Sequence, residues 1–299
     1  MFARLSPIYR AHSFRACCFI TSLAAGFFSA HAGAQLAGRK LTTASVSTVA
    51  QAAPEIVPSV CTRGEWLVVE TTNFRIWARL DRQQSVELTK RCEIVRGELR
   101  RKWLGDTALA AWSPKADVVV HPSADEYRRV LGTASDGSSG CVTITVDHGR
   151  VVQRRIDLRS DAADWNSSSL PHEMTHLVLA DRFSGRRLPR WADEGMAVLA
   201  EPQAKRSERR RAAEEAGRVG RMLTISQVMF VDEYPPSDQR AAFYAQSAAL
   251  VEALVARGGT EQFLTFLETA MRNGNARALK EVYGADGIDE SRLSSAWKR

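Results

Sequence analysis

Two histidines four residues apart, with a glutamate beside the first, constrain this 299-residue chain more than any other feature. The stretch is His172-Glu173-Met174-Thr175-His176, an H-E-x-x-H sequence. Its spacing has chemical meaning only on a helix, where residues four apart lie one turn apart on one face. Local signals predict that helix over 169–182. Ser167, Ser168 and Ser169 offer an N-cap, Pro171 suits a first turn, and Leu177-Val178-Leu179-Ala180 continues the segment. His172 and His176 then present two imidazole nitrogens to one ion. Glu173, turned by about 100° around the helix axis, reaches water beside that ion without being a ligand.

Two imidazoles leave a tetrahedral zinc ion short of ligands, since catalytic zinc keeps three protein donors and one open position. The next predicted helix, 190–201, carries Glu194, 18 residues after His176. That separation leaves room for the first helix to finish, for a loop around Ser184-Gly185, and for a return. Glu194 is the natural third ligand. Asp193 competes, but its side chain points about 100° away on a helix. It reads better as an acceptor for the second nitrogen of a ligand histidine.

The pattern His172-Glu173-x-x-His176 followed by Leu188-Pro189-x-Trp191-x-x-Glu194-Gly195-x-Ala197 resembles the peptidase MA-like gluzincin family, whose members share a thermolysin-like catalytic fold. The likeness extends over residues 62–298. Trp66 to Trp77 resembles the opening strands, Phe243-Tyr244-Ala245-Gln246-Ser247 a Y-x-x-S helix, and Ala278 to Gly284, ending at Trp297, a C-terminal signature. The resemblance implies zinc held by His172, His176 and Glu194, with Glu173 as general base. It also implies a role for Tyr244 in polarising an oxyanion, although from its residue type alone Tyr244 is equally a core aromatic. The H-x-x-G-x-x-H extension of metzincins is absent. Nothing resembles the G-x-M-E-N segment of aminopeptidases, which favours an endopeptidase. The implied partner is a peptide or protein substrate.

The rest of the chain predicts an α+β, zincin-like fold, a small mixed sheet packed on a helical body that carries the H-E-x-x-H helix. Trp66 to Leu80 reads as two strands, 82–104 as a helix, Ala116 to His121 as a buried strand, and Ser123 to Leu131 as a helix capped by Ser123. Val142–Val146 and Val151–Leu158 alternate across Asp147-His148-Gly149-Arg150, as a hairpin does. After it come only helices, at 169–182, 190–201, 205–218, 240–257 and 260–272, with one or two short ones in the tail. Strands with a helix first and helices afterwards argue α+β.

The N-terminus carries Arg4, Arg10 and Arg15, then an uncharged small and apolar run from Ala16 to Ala30, then Ala30-His31-Ala32 and Ala32-Gly33-Ala34. This reads as a signal peptide over 1–34, implying export to the periplasm or beyond and no stable membrane insertion after cleavage. Residues 35–60, rich in Ala, Ser, Thr and Val, read as a flexible linker, and 61–299 as the metallopeptidase domain. The formal charge of +7 includes three leader arginines and no leader acids, so the remainder is only mildly basic at +4. That argues against a nucleic-acid partner, and the basic run Lys205–Arg211 reads as a solvated helix face. Three cysteines outlast the leader, and a Cys61–Cys92 bridge is the favoured pairing, with unpaired buried thiols as the alternative. His121 and His148 read as structural or exposed. The competing reading is an inactive, peptidase-like binding module, against which the intact Glu173 stands.

Overall fold

Alternating apolar residues in the first half of the chain build a sheet, and the second half lays helices on it. The protein is described here by a computed structural model that covers residues 56–105 and 110–284 together with the backbone of 12–18. The first half runs β1 (His12–Cys18), β2 (Ser59–Arg63), β3 (Trp66–Glu70), β4 (Phe74–Ala78), α1 (Arg82–Leu104), β5 (Ala116–His121), α2 (Ala124–Leu131), β6 (Gly140–Asp147) and β7 (Arg150–Arg159). The strands form one seven-stranded mixed sheet in the order β1-β6-β7-β5-β4-β3-β2. Pairing is parallel at β4–β5 and β5–β7 and antiparallel elsewhere. Parallel neighbours require a crossover, which α1 supplies between β4 and β5. The central strand β5 is accordingly buried at all but one position. The β6–β7 hairpin turns through His148 (φ 47) and Gly149 (φ 75), the two consecutive positive φ values of a tight turn that matches strand twist.

The second half comprises α3 (Leu170–Phe183), α4 (Arg190–Val198), α5 (Gln203–Arg218), α6 (Ile225–Met229), α7 (Arg240–Asn273) and α8 (Asn275–Ala278). A single core joins the two halves, with Val118 and Ile156 from the sheet, Leu177 from α3, Trp191 from α4 and Phe263 from α7 all buried in it. Among the described residues no helix is long and apolar enough to cross a membrane.

The α+β expectation holds, with differences of detail. The sheet is larger than a small one. β2 begins at Ser59 and pairs with β3, taking in the end of the predicted linker. β1 lies inside the predicted leader and pairs with the outer edge of β6, His12 opposite Val146 and Cys18 opposite Gly140. The rest of the leader, the linker up to residue 55, and the tail from 285 with Trp297 lie outside the described residues. The predicted helices at 240–257 and 260–272 are one element broken at Gly259, whose φ of 75 and ψ of 174 no helix tolerates. The favoured Cys61–Cys92 bridge does not form: Cys61 is exposed on β2, Cys92 is buried in α1, and both are free thiols, as is Cys141. The predicted serine N-cap is also replaced. A π turn, Trp165–Ser169, leads directly into α3, and the Ser169 hydroxyl pairs with that of Ser139 at 2.7 Å. Two residues of the basic run on α5 are paired with acids, Lys205 with Asp164 at 3.0 Å and Arg209 with Glu201 at 2.6 Å, while Arg210 and Arg211 are exposed.

One acid ties the helix bearing the histidines to the sheet. Asp181, near the end of α3, accepts hydrogen bonds from Arg100 of α1, from Arg154 of β7 at 2.7 Å and from the Trp112 indole at 2.7 Å. Taking one partner out of such a group leaves buried charge uncompensated. Asp181→Ala should therefore lower unfolding free energy by roughly 3–5 kcal/mol, read from urea denaturation. A loss below about 1 kcal/mol, the size of a surface pair, would show that the arginines find other acceptors.

Candidate metal centre

The centre sits where α3 crosses α4. Pro171 begins the first turn of α3, and the helix is buried from Leu170 to Leu179, so both histidines face inward. A loop at 184–189 returns the chain to α4, whose Glu194 faces α3. Gly195 sets how close α4 lies to its other neighbour, α7. A Cβ there would stand 2.5 Å from the Ser247 carbonyl oxygen and 2.6 Å from Val251, so only glycine permits this approach.

The result brings His172, His176 and Glu194 together, all buried, with one donor atom of each within 4.8 Å of the others. Glu194 Oε2 lies 3.4 Å from His172 Nε2 and 4.0 Å from His176 Nε2. The opposite ring nitrogens are committed elsewhere. His172 Nδ1 donates to Glu201 at 2.7 Å, and His176 Nδ1 donates to Asp193 at 2.8 Å. Each bond keeps hydrogen on Nδ1, so Nε2, turned toward the centre, is the nitrogen that would give its electron pair to a metal ion in place of a proton. Arg209 closes on Glu201 with two bonds of 2.6 Å. Tyr234 donates its hydroxyl to Glu194 Oε1.

The charges call for a cation. Glu173, Glu194, Glu201 and Asp193 surround two imidazoles, and Arg209 is the nearby counter-ion. Burial raises the Glu194 carboxyl, but its hydrogen bond with His172 and the neighbouring His176 prevail and leave it at about 2. Burial likewise raises Glu201, and Arg209 and His172 bring it down to about 2. Burial lowers His172, yet Glu194 and Glu201 lift it to about 10, which shows how strongly these carboxylates favour positive charge at the imidazoles. Neutral imidazole and carboxylate donors in a three-residue set match zinc.

Glu173 is distinct from this set. Its side chain is fully buried, and among the described residues neither carboxylate oxygen has a hydrogen-bond partner. Burial pushes its pKa up to about 7. It occupies space that Gly140 leaves at the start of β6. A Cβ on residue 140 would come within 2.9 Å of Glu173 Cγ and Oε1. Buried acceptors without partners are costly and mark a site completed by something else.

Residues 140–299 match the Peptidase MA superfamily. The chain belongs to this superfamily. No curated protein matches it. A peptidase of this superfamily would act on peptide or protein substrates, and the matched region contains every residue of the cluster above.

Tyr244 also stands in this peptidase's centre. It lies on α7, buried, with its ring 6.4 Å from that of His172 and the Arg209 guanidinium 4.9 Å above it. Two further histidines, whose side chains are described, lie apart, His121 bonded to Asp157 at 2.8 Å and His148 exposed at the hairpin. Four contributors were not singled out from sequence: Glu201, Arg209, Tyr234 and Gly140. Glu201 falls 29 residues from His172, and no local spacing announces the pairing. Glu201→Gln should weaken zinc affinity by roughly 10–100-fold, measured by competition with a chromogenic chelator. Unchanged affinity would mean that His172 holds its orientation without this carboxylate.

Proposed function

We propose that this member of the superfamily is an exported zinc peptidase, acting as an endopeptidase, with His172, His176 and Glu194 as metal ligands and Glu173 as general base. The observation that carries the reading is the buried, partnerless Glu173 carboxylate beside the converging donors.

Zinc, when bound, supplies Lewis acidity that polarises the scissile carbonyl and acidifies the attacking water. Glu173 accepts a proton from that water and delivers it to the leaving amine. Burial and the absence of a fixed hydrogen-bond partner among the described residues leave its carboxylate available for both halves of that transfer. Tyr244 would donate a hydrogen bond from its phenolic hydroxyl to the developing oxyanion. Tyr234 is the other tyrosine in reach, but its hydroxyl is engaged with Glu194, so it steadies a ligand. Glu201 and Asp193 hold the imidazoles in orientation.

The endopeptidase reading is supported by two openings that reach residues of the centre. A small cavity reaches His176, and a groove of about 1030 Å³ along α5 reaches Tyr244. The pairing of β1 on β6 supports substrate docking as an added strand, since that edge accepts an extended segment in antiparallel register. Cleavage of the leader removes β1 and frees the same edge for substrate.

Glu173→Gln should retain zinc and lose at least about 100-fold in hydrolysis of a casein-like substrate. Full activity in that variant would remove Glu173 from the chemistry. Tyr244→Phe should lower kcat by about 100-fold with KM little changed, measured on a quenched fluorescent peptide. An unaltered kcat would leave Tyr244 as core packing.

A further inference from the structure

The loop between α3 and α4 bears a charge pattern that the proposed chemistry does not use. Beside His176 lies a cavity of about 120 Å³. Its walls are apolar: Val142, Ile144 and Val146 from one face of β6, Leu179 and Phe183 from α3, and Leu188 from the loop. β6 supplies every second residue, as a strand must, and α3 supplies residues one turn apart. A dry cavity of about 150 Å³ holds a benzene ring, so this one takes a branched aliphatic side chain or a single small ring.

The rim is different. Arg186, Arg187 and Arg190 stand around the same cavity. Among the described residues none of them has a carboxylate partner. Arg187 donates to the backbone carbonyl of Asp232 at 3.2 Å and Arg190 donates to it at 2.9 Å, while the Arg190 guanidinium also lies 4.1 Å over the Tyr234 ring. These contacts position the guanidinium groups of Arg187 and Arg190 without placing a carboxylate on either. The loop itself is held, since the Ser184 hydroxyl bonds the Gly149 carbonyl at 2.7 Å and Arg186 N bonds Phe183 O at 3.1 Å. The one acid lining the cavity, Asp193, is engaged with His176. Net charge at the rim is therefore positive, held by contacts at Arg187 and Arg190 and carried by an exposed side chain at Arg186.

We infer that this pocket selects acidic substrates: it seats an aliphatic or small aromatic side chain while Arg186, Arg187 and Arg190 engage Asp or Glu residues flanking it in the peptide. The inference rests on the peptidase reading for its setting, because the cavity touches the metal-ligand candidate His176. Its physical content is separate. Preformed guanidinium groups bind carboxylates in paired geometry. A like-charged peptide is repelled at the same place, so selection works in both directions.

The test uses two fluorescent peptides with the same central leucine, one flanked by Glu and one by Lys. Binding is measured by anisotropy on the zinc-loaded Glu173→Gln protein, and hydrolysis on the wild type. The Glu peptide should bind roughly tenfold more tightly, with the margin shrinking as salt is raised. Arg186→Glu combined with Arg187→Glu should abolish or reverse that preference, and its thermal melt reports folding. Equal binding of the two peptides, or an unchanged preference in the folded double variant, overturns the inference. Selective binding of the Glu peptide with no hydrolysis by the wild type supports the pocket and overturns the peptidase reading instead. Selective binding matched by selective hydrolysis supports both.

Discussion

Each imidazole of the centre is bonded on its far side to a carboxylate of its own, His172 to Glu201 and His176 to Asp193. The site depends on these two bonds, because they decide which nitrogen carries hydrogen and so which one offers its lone pair inward. They also link separate parts of the chain. Asp193 belongs to α4, and Glu201 follows it just before α5. The turn from α4 into α5 thus holds the helix that carries the histidines, and Arg209 of α5 anchors that turn by gripping Glu201. The ligand set is a property of three consecutive helices.

Much of this was legible in the sequence where a period or a spacing existed. The 23 residues of α1, the strand β5, the Ser123 cap with Glu126 N bonded at 3.3 Å, and the hairpin at His148-Gly149 follow from local chemistry. His172 and His176 were legible because one helical turn separates them. Glu194 needed the further assumption that the next helix returns over the first, and the chain does make that return. What escaped were features settled by long-range contact. Glu201 and Tyr234 reach the centre from 29 and 40 residues away along the chain. The role of Gly140 shows only once β6 lies beside Glu173. The bridge between Cys61 and Cys92 failed for a related reason: one cysteine sits exposed on an edge strand and the other is sealed in the core, which strand and helix signals alone do not reveal. The start of α3 also misled, since a π turn took the place of a capped N-terminus and the serine hydroxyl was used across to Ser139.

Electrostatics divide the molecule into unlike regions. Around the candidate ligands negative charge dominates and is buried. At Asp181 the balance inverts, with Arg100 and Arg154 converging on one acid. Both clusters act on α3, one near each end, so the helix is pinned at His172 and at Asp181 by charged contacts of opposite sense. Buried ionic groups give little net stability compared with apolar packing but discriminate sharply among alternative placements. For a helix that must deliver two nitrogens to one point, fixed placement matters more than added stability.

The contact of Gly195 with the Ser247 carbonyl has a reach beyond packing. Glu194 is the residue immediately before that glycine, so the gap between α4 and α7 sets the carboxylate's position directly. Tyr244 lies on α7 less than one turn before Ser247. A candidate ligand and a candidate hydrogen-bond donor therefore share a single spacer, whose width is dictated by the smallest side chain available. Any drift in that width would displace both groups together and in correlated fashion, which makes the two positions one mechanical unit. Successful redesign of either would have to alter them as a pair.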